Sequence, residues 1–202
     1  MRKGLVALVI IGAIAFLAVL MGMWYIRTNN SLVDMQGQAT KQWANVESSY
    51  QRRSDLIGNL VKTVQGAADF ERGTLTDVIE ARSKATSTTI DANNLTPESL
   101  AAFQEAQTGL SSALSRLLVT VERYPDLKAN QSFLEFQSQL EGTENRINVE
   151  RNRFNDLAGE YNIRIKQIPT NIVASIANFE PMGLFSSKPG AEDAPEVNFE
   201  FD

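Results

Sequence analysis

The side chains best placed to do chemistry are charged groups that fall where apolar ones are expected. Arg53, Glu144 and Arg151 occupy steps of two hydrophobic repeats on different segments. A charge in a packed seam needs a partner, because a lone ion there loses much of its hydration. Such groups read as an ion-pair layer that sets helix register, and a ligand or signalling pocket is the other use of the same residues. Asp55 and Glu122 are candidates to join that network. Composition removes the commoner catalytic routes. The chain has 202 residues with no histidine and no cysteine. A zinc finger, a His-ligated iron or copper site, a Cys nucleophile, a Ser-His-Asp triad and a disulfide all need one or the other. Glu141, Glu144 and Glu150 suggest a di-metal bundle, yet that chemistry uses a Glu-x-x-His element that is absent. No carboxylate spacing demands an acid and a base across a cleft. The expectation is a non-enzymatic chain without catalytic, cofactor or metal residues.

Two further groups could bind rather than react. Tyr124, Pro125, Asp126, Leu127 and Lys128 stand together between helical segments and could form a recognition loop. The plainer account is a tight connection in which Pro125 prevents helix continuation, Leu127 plugs the bundle end and Asn130 caps the next helix. At the C-terminus, residues 189–202 carry five acids and no base. They read as a solvated tail. Within it Val197, Phe199 and Phe201 alternate with polar residues, so Phe199 and Phe201 are also candidate anchors of a docking peptide. Phe154-Asn155 and Tyr161-Asn162, seven residues apart, put two rings on one face with an amide beside each, a pattern of core rings and hydrogen-bonded amides at a helix contact.

The elements that must position these residues are helical. Residues 4–26 form a 23-residue run without a charge, GLVALVIIGAIAFLAVLMGMWYI, which as a helix spans about 35 Å. It ends in Trp24 and Tyr25, side chains that favour the headgroup region. A cleaved signal peptide would need a shorter core and a small-x-small site, which is lacking. The run therefore reads as an uncleaved single-pass anchor. Arg2, Lys3 and the amino terminus precede it, and Arg27 and Lys41 follow, a balance that places the body outside the cytoplasm. Residues 27–202 hold 17 basic and 24 acidic residues, a net charge of −7, and such a body has no global attraction for nucleic acid.

Beyond the anchor, Leu32, Gln36, Ala39, Trp43, Val46, Tyr50, Arg53, Ile57, Leu60 and Val64 recur at four-three steps, the mark of a long helix continuous with the membrane segment. Gly58 marks a bend or a close helix contact. After a break near Gly66, Phe70, Leu75 and Val78 continue the pattern to about residue 86. Residues 86–96 read as a loop. Thr96 caps a helix begun by Pro97 and lined by Leu100, Phe103, Gln107, Leu110, Leu114, Leu117 and Val121. Asn130 caps another, lined by Phe133 or Phe136, Leu140, Glu144, Ile147, Arg151, Phe154, Ala158, Tyr161, Ile165 and Ile168, and Pro169 stops it. The predicted fold is all-α: a membrane anchor over 1–26, an antiparallel bundle of three or four long helices over 27–185, and an acidic tail over 186–202.

Several phrases resemble the LemA family of membrane-anchored bacterial proteins: RRSDLIGNLV at 52–61, VIEAR at 78–82, ERYPDLKANQSFLEFQSQLEGTENRI at 122–147, RNRFNDLAGEYNIRIKQIP at 151–169 and FEPMGLF at 179–185. Gly58 stands where the family often has proline, and Phe154 where it often has tyrosine. The resemblance implies one N-terminal membrane pass and a long-helix bundle, and implies no agreed activity. One branch, in magnetotactic bacteria, is linked to forming magnetosome membranes, so membrane shaping enters by analogy. The expected role is a scaffold or adaptor in the bacterial cytoplasmic membrane, bound to the lipid bilayer. It would self-associate as a homo-oligomer or meet a membrane or envelope protein partner, without nucleic acid. The alternative is a sensor or regulator of envelope stress or signalling in which Gly58 and Gly66 are the places to bend.

Overall fold

In the computed structural model the apolar run and the first hydrophobic seam are one rod. Helix α1 runs without interruption from Arg2 to Gln65. The structure describes residues 2–66, 71–92 and 94–186. The apolar segment is long enough to cross a membrane, and its most apolar stretch is left unburied by the described residues. Burial begins at Thr28 and Leu32 and then follows the predicted steps at Ala39, Trp43, Val46, Tyr50, Arg53, Ile57, Leu60 and Val64. Gly58 is a close contact within an unbroken helix, since a Cβ there would lie 3.2 Å from Arg82 Cζ. The Arg82 guanidinium passes over it to donate from Nε to the Ser54 carbonyl at 2.8 Å.

Helix α2 spans Arg72–Ser87 and lies antiparallel to α1, as Ser54–Thr86 at 3.1 Å and Gly58–Arg82 show. Phe70, expected in its apolar repeat, lies outside the described residues. Helix α3, Pro97–Val121, starts as its sequence predicts: Thr96 Oγ1 accepts from the Ser99 amide at 3.2 Å, and Pro97 fills the first turn. A single turn, α4 over Pro125–Lys128, leads to α5, Gln131–Lys166. Asn130 Oδ1 caps α5 by accepting from the Ser132 and Phe133 amides. Trp43 meets Phe154 and Arg53 meets Glu144, so α5 runs back along α1. A short α6, Thr170–Ile176, closes the end of the bundle, and no strand occurs among the described residues.

The interior divides into two apolar clusters. One gathers Trp43, Tyr50, Phe103, Ile147, Phe154 and Tyr161. The other gathers Ile57, Leu60, Leu110, Leu117, Leu140 and their neighbours. Two α5 expectations need correction. Ile168 is 85% exposed, because α5 ends at Lys166 and the residue before a proline leaves the helical stripe. Glu144 and Arg151 are half-buried, whereas Thr143 and Glu150 one step earlier are buried. The face of α5 on α1 thus follows 143 and 150, leaving 144 and 151 on its flank.

Candidate functional site

Between the two apolar clusters lies a polar layer built by one residue from each of three helices. Arg53 falls between Tyr50 and Leu56 on α1, Gln107 between Phe103 and Leu110 on α3, and Glu144 between Leu140 and Ile147 on α5. Arg53 Nη1 donates to Glu144 Oε2 at 3.0 Å and to Ser111 Oγ at 3.1 Å. Its Nη2 donates to Gln107 Oε1 at 2.6 Å. The guanidinium also stacks 4.9 Å from the Tyr50 ring centroid. Gln107 completes the layer by donating to the Ala85 carbonyl at the end of α2. Arg53 therefore joins α1 directly to α3 and α5 and reaches α2 through Gln107, and its Nε is buried without a partner. Beside it, Ile57, Leu114, Leu118, Leu140 and Glu144 line an open groove of about 260 Å³.

Arg151 makes no ion pair in this layer and borders it through Tyr50, with which its side chain hydrogen-bonds. It stacks 4.5 Å from the Phe185 ring centroid and donates to the Ser186 carbonyl at 3.1 Å. Asp55 lies 3.9 Å from Arg82 in an exposed contact, and Glu122 pairs with Lys128. The connection at 124–128 is one helical turn with Pro125 in its first position and Leu127 buried in the second cluster. Phe199 and Phe201 lie outside the described residues. Burial raises the Tyr50 phenol above its ordinary pKa, opposed by the Arg151 and Arg53 charges.

The second construction is a strap. Residues 179–186 leave α6 through Asn178, whose positive φ of 56° suits an asparagine, and run extended along α5 in the opposite direction. Asn162 clasps Met182 in both directions, Nδ2 donating to its carbonyl and Oδ1 accepting from its amide, each at 2.8 Å. Asn155 does the same to Phe185, both bonds at 2.9 Å. The register follows from geometry. Seven helical residues rise about 10.5 Å, and three extended residues cover about 10 Å. The strap seats Met182 and Phe185 in the first core, where Phe185 stacks on Trp43. Tyr161 Oη donates to the Glu180 carbonyl at 2.9 Å. Burial, and secondarily the Glu180 charge, push the Tyr161 phenol up to about 12.

Sequence reasoning picked out Asn155 and Asn162 by their spacing but assigned them a helix contact, and the structure gives them an extended segment instead. It named Glu150 only as a carboxylate of the di-metal arrangement it set aside and missed its place in the packing: the buried carboxylate accepts from Gln42 Nε2 at 2.8 Å and lies 3.5 Å from Arg153 and 3.9 Å from Arg146. Those arginines, four before and three after it, were the available signal.

Comparison with known proteins bears on the whole arrangement. A family model described as LemA family matches residues 42–199. The chain is 28% identical to Magnetosome protein MamQ 2 of Paramagnetospirillum magneticum, over 96% of this chain and 75% of that relative. It is similarly 28% identical to Magnetosome protein MamQ of Magnetospirillum gryphiswaldense, with the same coverage. It is 24% identical to Protein LemA of Metamycoplasma hominis, over 81% of this chain and 71% of the relative. Since the family match spans the bundle half of α1, the helices after it and the strap, the chain belongs to the LemA family.

Proposed function

We propose that this protein is a non-enzymatic scaffold or adaptor, anchored in the bacterial cytoplasmic membrane by residues 4–26, with its bundle on the extracytoplasmic side. The observation that carries this reading is the continuity of α1, whose one helix serves as both the membrane-length segment and a central member of the bundle. A bundle held this way is confined to two dimensions, and confinement raises its effective concentration toward copies of itself and toward other membrane proteins. Self-association or capture of a membrane or envelope protein then needs only weak lateral contacts. Relatives named as magnetosome proteins agree with a role at a membrane. The polar layer serves register, since the donors of Arg53 other than Nε are taken up within the protein.

The test is the native mass of the full chain gently extracted from its own membranes, with co-purifying proteins identified. A large homo-oligomer that persists when residues 1–26 are replaced by an unrelated membrane helix supports a bundle-driven scaffold. Loss of the oligomer on that replacement assigns assembly to packing around Gly4, Gly12 and Gly22. A one-to-one complex with a different protein favours the adaptor, and a bare monomer overturns both.

The sensor reading draws on a specific feature, the placement of Arg53 on the same helix as the membrane segment with bonds to α3 and α5. A displacement of α1 would have to break that layer, which makes it a two-state element only if a ligand or partner prefers one arrangement. Helix α1 is continuous through Gly58 and ends just before Gly66.

A further inference from the structure

The end of the bundle nearest the membrane segment combines exposed isoleucines with basic side chains. Helices α1 and α5 are antiparallel, and Trp43 stands against Phe154, ring centroids 5.6 Å apart. Counting residue for residue from that pair, Ile168 comes level with Asn29. Asn29 lies about 4.5 Å along the helix axis beyond Ile26, the last residue of the apolar run. A bilayer carries an interfacial layer of roughly 5–8 Å outside its hydrocarbon on each side. A chain whose α1 leaves the hydrocarbon at Ile26 therefore holds Ile168 among the headgroups.

What stands there suits that layer. Ile168 is 85% exposed, and Ile172 and Ile176 on α6 are 55% and 64% exposed. Helix α6 buries Thr170, Val173 and Ala174 and leaves these two isoleucines outside. The charges nearest this end along the two segments are basic. Across residues 27–33 and 164–178 the basic residues are Arg27, Arg164 and Lys166, with no acid among them, in a chain whose net charge is −5. The first acid along α1 is Asp34, about 10 Å further from the membrane than Arg27 and, by the same count, level with Ile163 beside Arg164, so it bounds the basic end on the side away from the membrane.

We propose that this face is a lipid-binding surface for anionic phospholipid headgroups, with Ile168 at the boundary of headgroup and acyl chain and Arg27, Arg164 and Lys166 on the phosphates. The inference rests on the reading of residues 4–26 as membrane-spanning. Long basic side chains can lay their stems on apolar surface while their charged ends reach phosphate, and anionic leaflets attract such clusters. The bundle is then attached to the bilayer at two points, the axis of α1 and this face beside it.

The chain has no cysteine, so single cysteines can carry an environment-sensitive fluorophore. Three full-length variants are compared in vesicles of phosphatidylcholine with and without phosphatidylglycerol: Ile168→Cys, Ile14→Cys within the apolar run, and Leu134→Cys at the far end of the bundle. The expected result is blue-shifted emission at 168 with quenching by shallow spin-labelled lipids, stronger with phosphatidylglycerol. Position 14 should be quenched by deep labels and 134 by neither. Replacing Arg27, Arg164 and Lys166 with glutamine should abolish the phosphatidylglycerol dependence at 168 while position 14 stays quenched. If 168 behaves like 134 while 14 is quenched, the lipid-binding face is overturned and the anchor stands. If 14 is not quenched, the anchor reading fails and this inference falls with it. Quenching at 168 that ignores phosphatidylglycerol overturns the anionic headgroup as the ligand.

Discussion

Arg53 and Glu144 meet at 3.0 Å with unequal access to water, their side chains being 5% and 45% exposed. The arginine depends on the glutamate more than the reverse, because a stranded buried charge cannot recruit solvent, whereas a half-exposed carboxylate can. Glu144→Ala should therefore destabilise the bundle by about 1–3 kcal/mol, and adding Arg53→Met should recover part of that loss. Thermal unfolding of the full chain in detergent checks this, since each 1 kcal/mol corresponds to a midpoint shift of roughly 2–4 °C at this size. An additive double variant, with no recovery, would show that Arg53 and Glu144 are not energetically coupled.

The two asparagine clasps can be separated from ordinary packing by changing one atom. Asn162→Asp keeps an acceptor for the Met182 amide but sets a second acceptor against the Met182 carbonyl. It should destabilise nearly as much as Asn162→Ala, about 1–3 kcal/mol for either. Hydrogen exchange at the Met182 and Phe185 amides is the readout. Exchange should quicken at Met182 in both variants and at Phe185 in Asn155→Ala.

Gly183 is required by a close approach to the start of α3. A Cβ there would fall 2.8 Å from the Thr96 carbonyl oxygen and 2.9 Å from Pro97 Cα, both backbone atoms that cannot swing aside. Gly183→Ala should cost roughly 1–3 kcal/mol. It should also free the Gly183 amide from the Leu95 carbonyl, which it meets at 2.8 Å. Limited proteolysis should then cut near 179–186 at a protease level that spares the wild type.

Alkali should reach the strap through Tyr161. The folded phenol titrates near 12, above its ordinary value of 10.0, so the folded state holds its proton where the unfolded state has lost it. The stabilisation from this group is whole below pH 10 and declines as the pH rises toward about 12. Tyr161→Phe should remove that part of the alkaline slope, at a cost near neutrality of about 1 kcal/mol for the lost bond to the Glu180 carbonyl. Unfolding midpoints on both sides of pH 10 test the sign, and a slope unchanged in Tyr161→Phe would assign it to other groups.

Much of the fold is legible because a four-three repeat reports one buried stripe per helix. Leu32 to Val64 and Leu100 to Val121 were readable for that reason, and Thr96 and Asn130 declared the helix starts. The repeat could not settle the phase of α5, since residues 143 and 144, like 150 and 151, are adjacent around a helix whose two flanks have different neighbours. Glu150 is buried against α1 because Gln42 on that helix and two arginines of its own helix satisfy it, and the Gln42 part of that reason lies on another helix. The strap was not legible as an element. FEPMGLF has no periodicity, and its conformation comes from asparagines some 20 to 30 residues away. Ile168 looked like a further step in the α5 repeat, and only the end of the helix at Lys166 shows that it lies outside the core.

The unbroken α1 has a rotational consequence. With no hinge between Ile26 and Thr28, the azimuth of the bundle about the membrane normal is locked to the azimuth of the membrane segment. Neighbours that meet inside the bilayer along one side of that segment must also bring matching sides of their bundles together. One residue inserted at this junction would turn the two halves by about 100° relative to each other, and four would return them to within roughly 40°. The phase of a single helix thus decides which surfaces of two anchored copies can face one another.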